Sequence, residues 1–274
     1  MPATKEGRVI KTKKARRSGE TPTGRVSGAG KSLPLVERTN ELTIEEFTSR
    51  YVTPLITTTQ EDTENNTLEK KTPIVAGTPQ LDVYSAATIS RADLEACLDL
   101  VEFTSGADYA SSGVGWSRPK KRKEMKLPDM KYLILRGDAD HASDASQRDD
   151  PAEESDKPSS PSGLGNQPNV LGFLSFMVTY EDGKEVVYCY EIHLSPRARG
   201  RGLGVWLMTW MEEIGRLVGL EKAMLTVFKC NATARRFYEK GGYEVDEYSP
   251  QPRRLRNGTI KEFDYLILSK RLKD

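Results

Sequence analysis

The sequence predicts an α/β fold of the mixed kind, and three observations carry that prediction. Strand-like apolar runs and amphipathic helical stretches follow one another from about residue 80 onward. Two long strands, Val170–Tyr180 and Glu185–Leu194, flank Asp182-Gly183, a dipeptide that favours a tight hairpin. The second of them runs into a basic, glycine-rich turn, and an apolar helix starts at once.

Taken in order, Thr43-Ile-Glu-Glu46 is a capping box, so a short helix runs to about Val52 and stops before Pro54. Residues 57–72 are rich in Thr, Glu and Asn and read as a loop. Leu81–Ile89 is the first strand. Ser90 caps the next helix, whose stripe of Leu94, Cys97, Leu98 and Val101 faces a core. Residues 104–128 read as a long loop holding Tyr109, Trp116 and the run Lys120-Lys-Arg-Lys123, a binding loop by its length and aromatics. Met130–Arg136 is the second strand, and the hairpin strands follow. Gly202–Val218 is a helix with Leu203, Leu207, Trp210, Met211 and Ile214 on one face. Then come a strand (Ala223–Val227), a helix (Asn231–Lys240) closed by Gly241-Gly242, and two strands, Tyr243–Tyr248 and Glu262–Lys270. A polar loop joins the last two.

Composition bounds the partners. Of 274 residues, 36% are hydrophobic and 30% charged, polar enough to predict disordered segments. The net charge of +1 names no partner, but its distribution is uneven. Residues 1–31 hold nine Lys/Arg against two Glu, so 1–32 is expected to be a disordered basic tail. Its Lys11-Thr-Lys13-Lys14-Ala-Arg16-Arg17 fits an import signal or a merely soluble tail. Residues 137–169 hold eight Asp/Glu against two Lys/Arg and lack periodicity, a disordered acidic insertion in a hairpin. Three cysteines without C-x-x-C, and two histidines, point to neither a disulfide framework nor a metal site. No run of about 18 apolar residues predicts a membrane span, and the start lacks a secretory core.

The basic turn is the functional signal. Gly200, Gly202 and Gly204 remove three Cβ atoms, so main-chain N–H groups can converge at the start of a helix. Arg197, Arg199 and Arg201 add charge, and an anion such as a pyrophosphate fits there. The dinucleotide pattern G-x-G-x-x-G fails at Val205 and Leu207, and no Gly-Lys-Ser/Thr ends the turn as in a P-loop. Alone, the turn fits either a bound phosphate or a solvated glycine-rich loop.

Arg199-x-x-Gly202-x-Gly204, followed by Asn231-x-x-Ala234-x-x-x-Tyr238-x-x-Gly241-Gly242-Tyr243, resembles the GNAT acetyltransferase superfamily. Tyr188-Cys-Tyr190-Glu191, Met224-Leu-Thr226-Val-Phe-Lys-Cys-Asn231 and Tyr265-Leu-Ile-Leu-Ser-Lys-Arg resemble its NatD type, which acetylates the N-terminal serine of histone 4 and histone 2A. The resemblance covers roughly residues 80–272. It implies the GNAT fold, one central mixed seven-stranded sheet with helices on both faces, over residues 33–274. It also implies acetyl-CoA as cosubstrate, no metal, basic histone tails as partners, and residence in nucleus and cytoplasm. A monomer without a membrane or direct nucleic-acid role is expected.

The resemblance assigns residues. Ile192, His193 and Leu194 would hold the pantetheine and polarise the acetyl carbonyl through their backbone. Arg199, Gly200, Arg201, Gly202, Leu203, Gly204 and Val205 would hold the pyrophosphate, and Asn231 the pantetheine. Glu191 would be the general base, directly or through water, and Tyr190 the second catalytic residue. Tyr109, Glu181, Tyr188, Tyr190, Thr226 and Tyr265 would contact the acceptor, Glu181 meeting its basic residues. Val114 and Thr179 depart from the family, which has a tryptophan and an acidic residue there. Tyr238, phenylalanine in some members, would be a doubtful acid. Simple alternation places Tyr188 and Tyr190 on one face and Cys189 and Glu191 on the other; a bulge would be needed to join them. Acetylation of a lysine or small amine, or coenzyme binding without catalysis, are the competing readings.

Overall fold

The computed structural model describes residues 33–55, 79–137 and 169–273. The basic tail 1–32, the whole of the loop 57–72 and residues 138–168 of the acidic insertion lie outside the described residues. The insertion does interrupt a hairpin, because Gly137 N donates to Asn169 O at 3.1 Å across its base.

Two short helices open the described chain: α1, Leu35–Asn40, and α2, Ile44–Tyr51. The capping box forms as predicted, with Thr43 Oγ1 accepting from Glu46 N and Glu46 Oε2 accepting from Thr43 N. Next come β1 (Gln80–Ser85), α3 (Arg91–Ser111), α4 (Arg118–Met125), β2 (Lys131–Arg136), β3 (Val170–Glu181) and β4 (Lys184–Leu194). A 3-10 turn at Pro196–Ala198 leads to α5 (Leu203–Val218), β5 (Lys222–Phe228) and α6 (Ala232–Lys240). The chain ends in β6 (Glu244–Val245), β7 (Arg253–Arg254), β8 (Ile260–Lys261) and β9 (Tyr265–Arg271).

Seven strands form the main sheet in the order β1-β2-β3-β4-β5-β9-β6, and β7 with β8 makes a small hairpin inside the predicted polar loop. Within the main sheet β4 and β5 alone run parallel; the other pairs are antiparallel. Asp182 and Gly183 both take positive φ at the β3–β4 turn, the twist that suits a two-residue hairpin.

Helices cover both faces. On one, α1, α2, α5 and α6 pack over Leu133, Leu135, Leu174, Phe176, Val187 and Cys189. The apolar face of α5 is buried as the pattern predicts, with Leu207, Met211 and Ile214 fully enclosed. On the other, the stripe of α3 (Leu94, Cys97, Leu98, Val101) meets Tyr132, Ile134 and Phe173.

The predicted loop 104–128 is not a loop. Most of it is the last two turns of α3 and then α4, with residues 112–117, which include Trp116, as the connection between them. The composition Arg-Pro-Lys-Lys-Arg-Lys-Glu-Met hides a helix because three of its cations, Arg118, Lys121 and Arg122, are answered by neighbouring carboxylates rather than by water alone. Pro119 sits in the first turn of α4, where its missing N–H costs nothing. Arg118 pairs with Glu95, Asp99 and Glu102 on α3, and Arg122 with Glu95 at 2.6 Å. Lys121 and Met125, four residues apart, turn to the buried side.

Candidate active site

The site forms where β4 leaves β5. Their parallel pairing runs from Val186–Lys222 to Cys189–Leu225 and stops. Beyond it, β4 continues against β3 and β5 against β9, so a wedge opens between two strands of one sheet.

A bulge stands at the same point. Ser175 pairs with Glu191 and Phe176 with Cys189, which makes Tyr190 the extra residue. Before it, Val187 and Cys189 face α5 and Tyr188 faces away. After it the parity is reversed: Ile192 and Leu194 pack toward α5 while Glu191 and His193 turn under α3 and α4. The one-residue insertion therefore puts Tyr188 and Glu191 on one face, which simple alternation forbids.

Glu191 is 7% exposed and both its oxygens are engaged. Oε1 accepts from Lys121 Nζ at 2.7 Å and from the Tyr109 hydroxyl at 3.1 Å. Oε2 lies 2.6 Å from His193 Nε2, and His193 Nδ1 lies 2.5 Å from Thr104 Oγ1 on α3. Lys121 Nζ also donates to the Tyr109 hydroxyl at 2.8 Å and pairs with Glu124 at 3.0 Å. Burial pushes the Glu191 carboxyl up, but the Lys121 charge and the His193 contact outweigh it and hold it at about 2. Burial likewise opposes the charge on Lys121, and Glu191 outweighs that, raising its pKa. Burial pushes the Tyr109 phenol upward, so it stays neutral.

Of the aromatic residues assigned to the acceptor, Tyr109 touches this carboxylate, and Tyr188, Tyr190 and Tyr265 cluster with one another. Tyr188 and Tyr190 stack edge to face at 5.5 Å, and the Tyr188 hydroxyl is 2.5 Å from Thr226 Oγ1 across the wedge. Tyr265 packs in the same small cluster. Tyr109 leans on Phe228 at 5.1 Å and Trp116 at 5.6 Å, and it comes from a helix rather than from a loop. Glu181 is not brought here. It sits six residues along β3 from Ser175, about 20 Å away at strand rise.

At the other end of the wedge lies the basic turn. Gly200 and Gly202 both take positive φ, 74° and 75°, and a Cβ on either would meet open space. The first helical bond runs from Trp206 N to Gly202 O at 3.0 Å. The amides of Leu203, Gly204 and Val205 therefore stand outside the helix's own ladder. Arg199 Nε donates to Leu194 O at 3.3 Å, tying the turn to the end of β4. A Cβ on Gly204 would approach the Phe237 ring to 3.4 Å, so α5 and α6 meet closely. This open cradle of amides, with Arg197, Arg199 and Arg201 around it, fits a diphosphate.

Asn231 stands at the start of α6, and its amide is already used in the fold. Oδ1 accepts from Ala234 N at 3.0 Å as the helix cap, and Nδ2 donates to Asp108 Oδ2 at 3.0 Å. Tyr238 is pushed well above the ordinary phenol range by burial, so its hydroxyl keeps its proton.

Sequence reasoning missed Lys121, Thr104 and the side chain of His193. Lys121 had one signal: it lies four residues before Met125 on a helix that Pro119 could start. Nothing in the sequence marks Thr104.

Residues 128–243 match the family model of the acetyltransferase (GNAT) family. That segment holds β2, β3, β4 and β5 of the seven-stranded mixed sheet together with α5 and α6. A curated relative, described as the uncharacterized N-acetyltransferase YycN of Bacillus subtilis (strain 168), is 28% identical over 79 residues, 29% of this chain. The match spans about half, 51%, of that relative's length. Similar solved structures include the PaiA N-acetyltransferase from Thermoplasma acidophilum in complex with coenzyme A. It is 14% identical over 70% of this chain and 99% of that one, at TM-score 0.44. Another is the ribosomal-protein-S18-alanine N-acetyltransferase from Escherichia coli, 15% identical over 71% and 96%, at TM-score 0.41.

Proposed function

We propose that the domain transfers acetyl from acetyl-CoA to the α-amine of a protein N-terminus, an N-terminal serine followed by a basic tail, as in histones 4 and 2A. The observation that supports it is the buried Glu191 bonded to Tyr109 where β4 leaves β5, with Tyr188, Tyr190, Thr226 and Tyr265 clustered at that same parting of the strands. Aromatic walls of this kind suit a small first residue.

Acetyl-CoA supplies an activated acyl group as a thioester. The turn Arg199–Val205 holds its diphosphate, and the β4 backbone at Ile192–Leu194 aligns the pantetheine in the wedge. The amine nitrogen forms the new C–N bond, the C–S bond breaks, and the proton lost by nitrogen ends on the departing sulfur or in solvent. Glu191 is the fixed negative charge beside the nitrogen as it becomes positive during attack. A carboxyl held at about 2 is a weak acceptor for a proton from an α-ammonium of pKa about 8, so its general-base role is the weaker reading. With Glu181 remote, Asp108 and Asp264, next in sequence to Tyr109 and Tyr265, are the carboxylates for a basic second or third residue. The basic run 11–17 is consistent with residence in nucleus and cytoplasm, and the domain acts as a monomer.

Mass spectrometry of a Ser-Gly-Arg-Gly-Lys peptide after incubation with acetyl-CoA tests the reading. One acetyl on the α-amine is expected. Acetylation of internal lysines alone, or none, sinks it.

A further inference from the structure

Lys121 is a cation buried to 6% exposure in a helix whose other lysines face water. A lone buried ammonium is costly, and this one is retained where it touches a carboxylate, a phenol and a second carboxylate, within 3.0 Å of each. Lys121 and Glu191 come from elements 70 residues apart, so the pair is made by the tertiary fold.

We propose that Lys121 is a positioning residue for acetyl transfer: with His193 it occupies both oxygens of Glu191 and fixes that side chain as a permanent anion, so that only an acceptor amine arriving unprotonated reacts. The inference rests on the function proposed above and deepens it by setting the substrate class.

The chemistry follows from the geometry. Glu191 Oε1 faces Lys121 and Tyr109, and Oε2 faces His193. The charged and titratable groups that bear on it are Tyr109 from α3, Lys121 and Glu124 from α4, and Tyr132 from β2. Cys189 and His193 of β4 and Tyr238 of α6 complete the set. Lys121 is the group among them that remains cationic at every working pH. A carboxylate so compensated binds a proton poorly and does not strip one from an ammonium. Selection then falls to the acceptor. At pH 7 an α-amine is neutral about one time in ten and a lysine side chain about one in 2,500, a ratio of a few hundredfold. The pocket thus favours N-termini over lysines before any contact with the rest of the peptide.

Two measurements on the full chain test this, with wild type, Lys121→Met, Lys121→Arg and Glu191→Gln. Carboxyl carbon NMR follows the Glu191 resonance, assigned by its loss in Glu191→Gln, and needs no activity. In the wild type it is expected to stay ionised down to about pH 4 or below. In Lys121→Met its midpoint moves up by more than about one unit, and Lys121→Arg restores it. The second readout is kcat/KM against pH with the serine peptide. The wild-type acid limb is expected to coincide with the peptide's own α-amine titration, and to move with it when a peptide of different α-amine pKa is used. Lys121→Met gains a second acid limb. An unshifted carboxyl in folded Lys121→Met, or a wild-type limb that ignores the α-amine pKa, overturns the proposal. If Lys121→Met fails to fold, the wild-type limb and the wild-type carboxyl titration decide. Failure to acetylate the peptide at all removes the proposed function, and the carboxyl titration then decides the role of Lys121 by itself.

Discussion

At the turn proposed to hold a diphosphate the chain presents main-chain amides, two left-handed glycines and open space; at the proposed acceptor wall it presents buried side chains bonded to one another. The cradle lies inside the segment 128–243 that matches the acetyltransferase family, whereas α3 and α4, which bring Tyr109 and Lys121, lie before it. The difference has a chemical basis. A diphosphate is one ligand that backbone N–H groups satisfy in any chain able to make the turn. An acceptor amine is recognised by charge and shape, which require particular side chains held by a particular packing.

If the halves are separable, changes in each should affect different measurements. The largest expected effect is on turnover. Glu191→Gln keeps the shape but removes the charge, and kcat should fall by about 10²-fold or more while CoA affinity by calorimetry is unchanged. A full turnover rate in that variant breaks the comparison at its centre. Next is Gly202→Val, which puts a branched Cβ at a positive-φ position, a strain of about 1–2 kcal/mol, where the amides must converge. CoA binding should weaken by about tenfold or more, and the carboxyl resonance of Glu191 should not move. Tyr109→Phe removes a hydroxyl that donates to Glu191 and accepts from Lys121; activity should fall by about tenfold with CoA binding intact.

A pH test sharpens the acceptor side. The folded Glu191 carboxyl, at about 2, lies below its ordinary value of 4.5. The unfolded chain therefore binds more protons in that interval, and this pair's contribution to stability is fully present above about pH 4.5 and lost as pH falls toward 2. Acid denaturation monitored by circular dichroism should show that loss in the wild type and little of it in Glu191→Gln. The smallest effect is expected far from both halves. Thr43→Ala deletes the α2 cap and should cost about 1 kcal/mol of stability in urea unfolding with kcat and CoA affinity unchanged.

Legibility in the sequence followed the same division. The Asp182-Gly183 turn, the Thr43 and Ser90 caps, the stripe of α5 and the glycine turn were readable because each is a local pattern of residue types. The helix over Arg118–Met125 was not, because a run of six charged residues in eight gives no apolar periodicity; its support comes from Glu95, Asp99 and Glu102 of another helix. Glu181 was placed at the mouth by resemblance, and the strand register carries it to the far end of the sheet.

By itself the sequence determined the seven strands of the main sheet, the β3–β4 hairpin, the capped helices α2 and α3, the stripe of α5 and the glycine turn, since hydrophobic period, caps and glycine freedom act over a few residues. Only the tertiary structure decided which face Glu191 takes and who neutralises it. A single extra residue at Tyr190 reverses strand parity, and a lysine 70 positions earlier completes the pair. Both depend on contacts between distant parts of the chain, to which local patterns are blind.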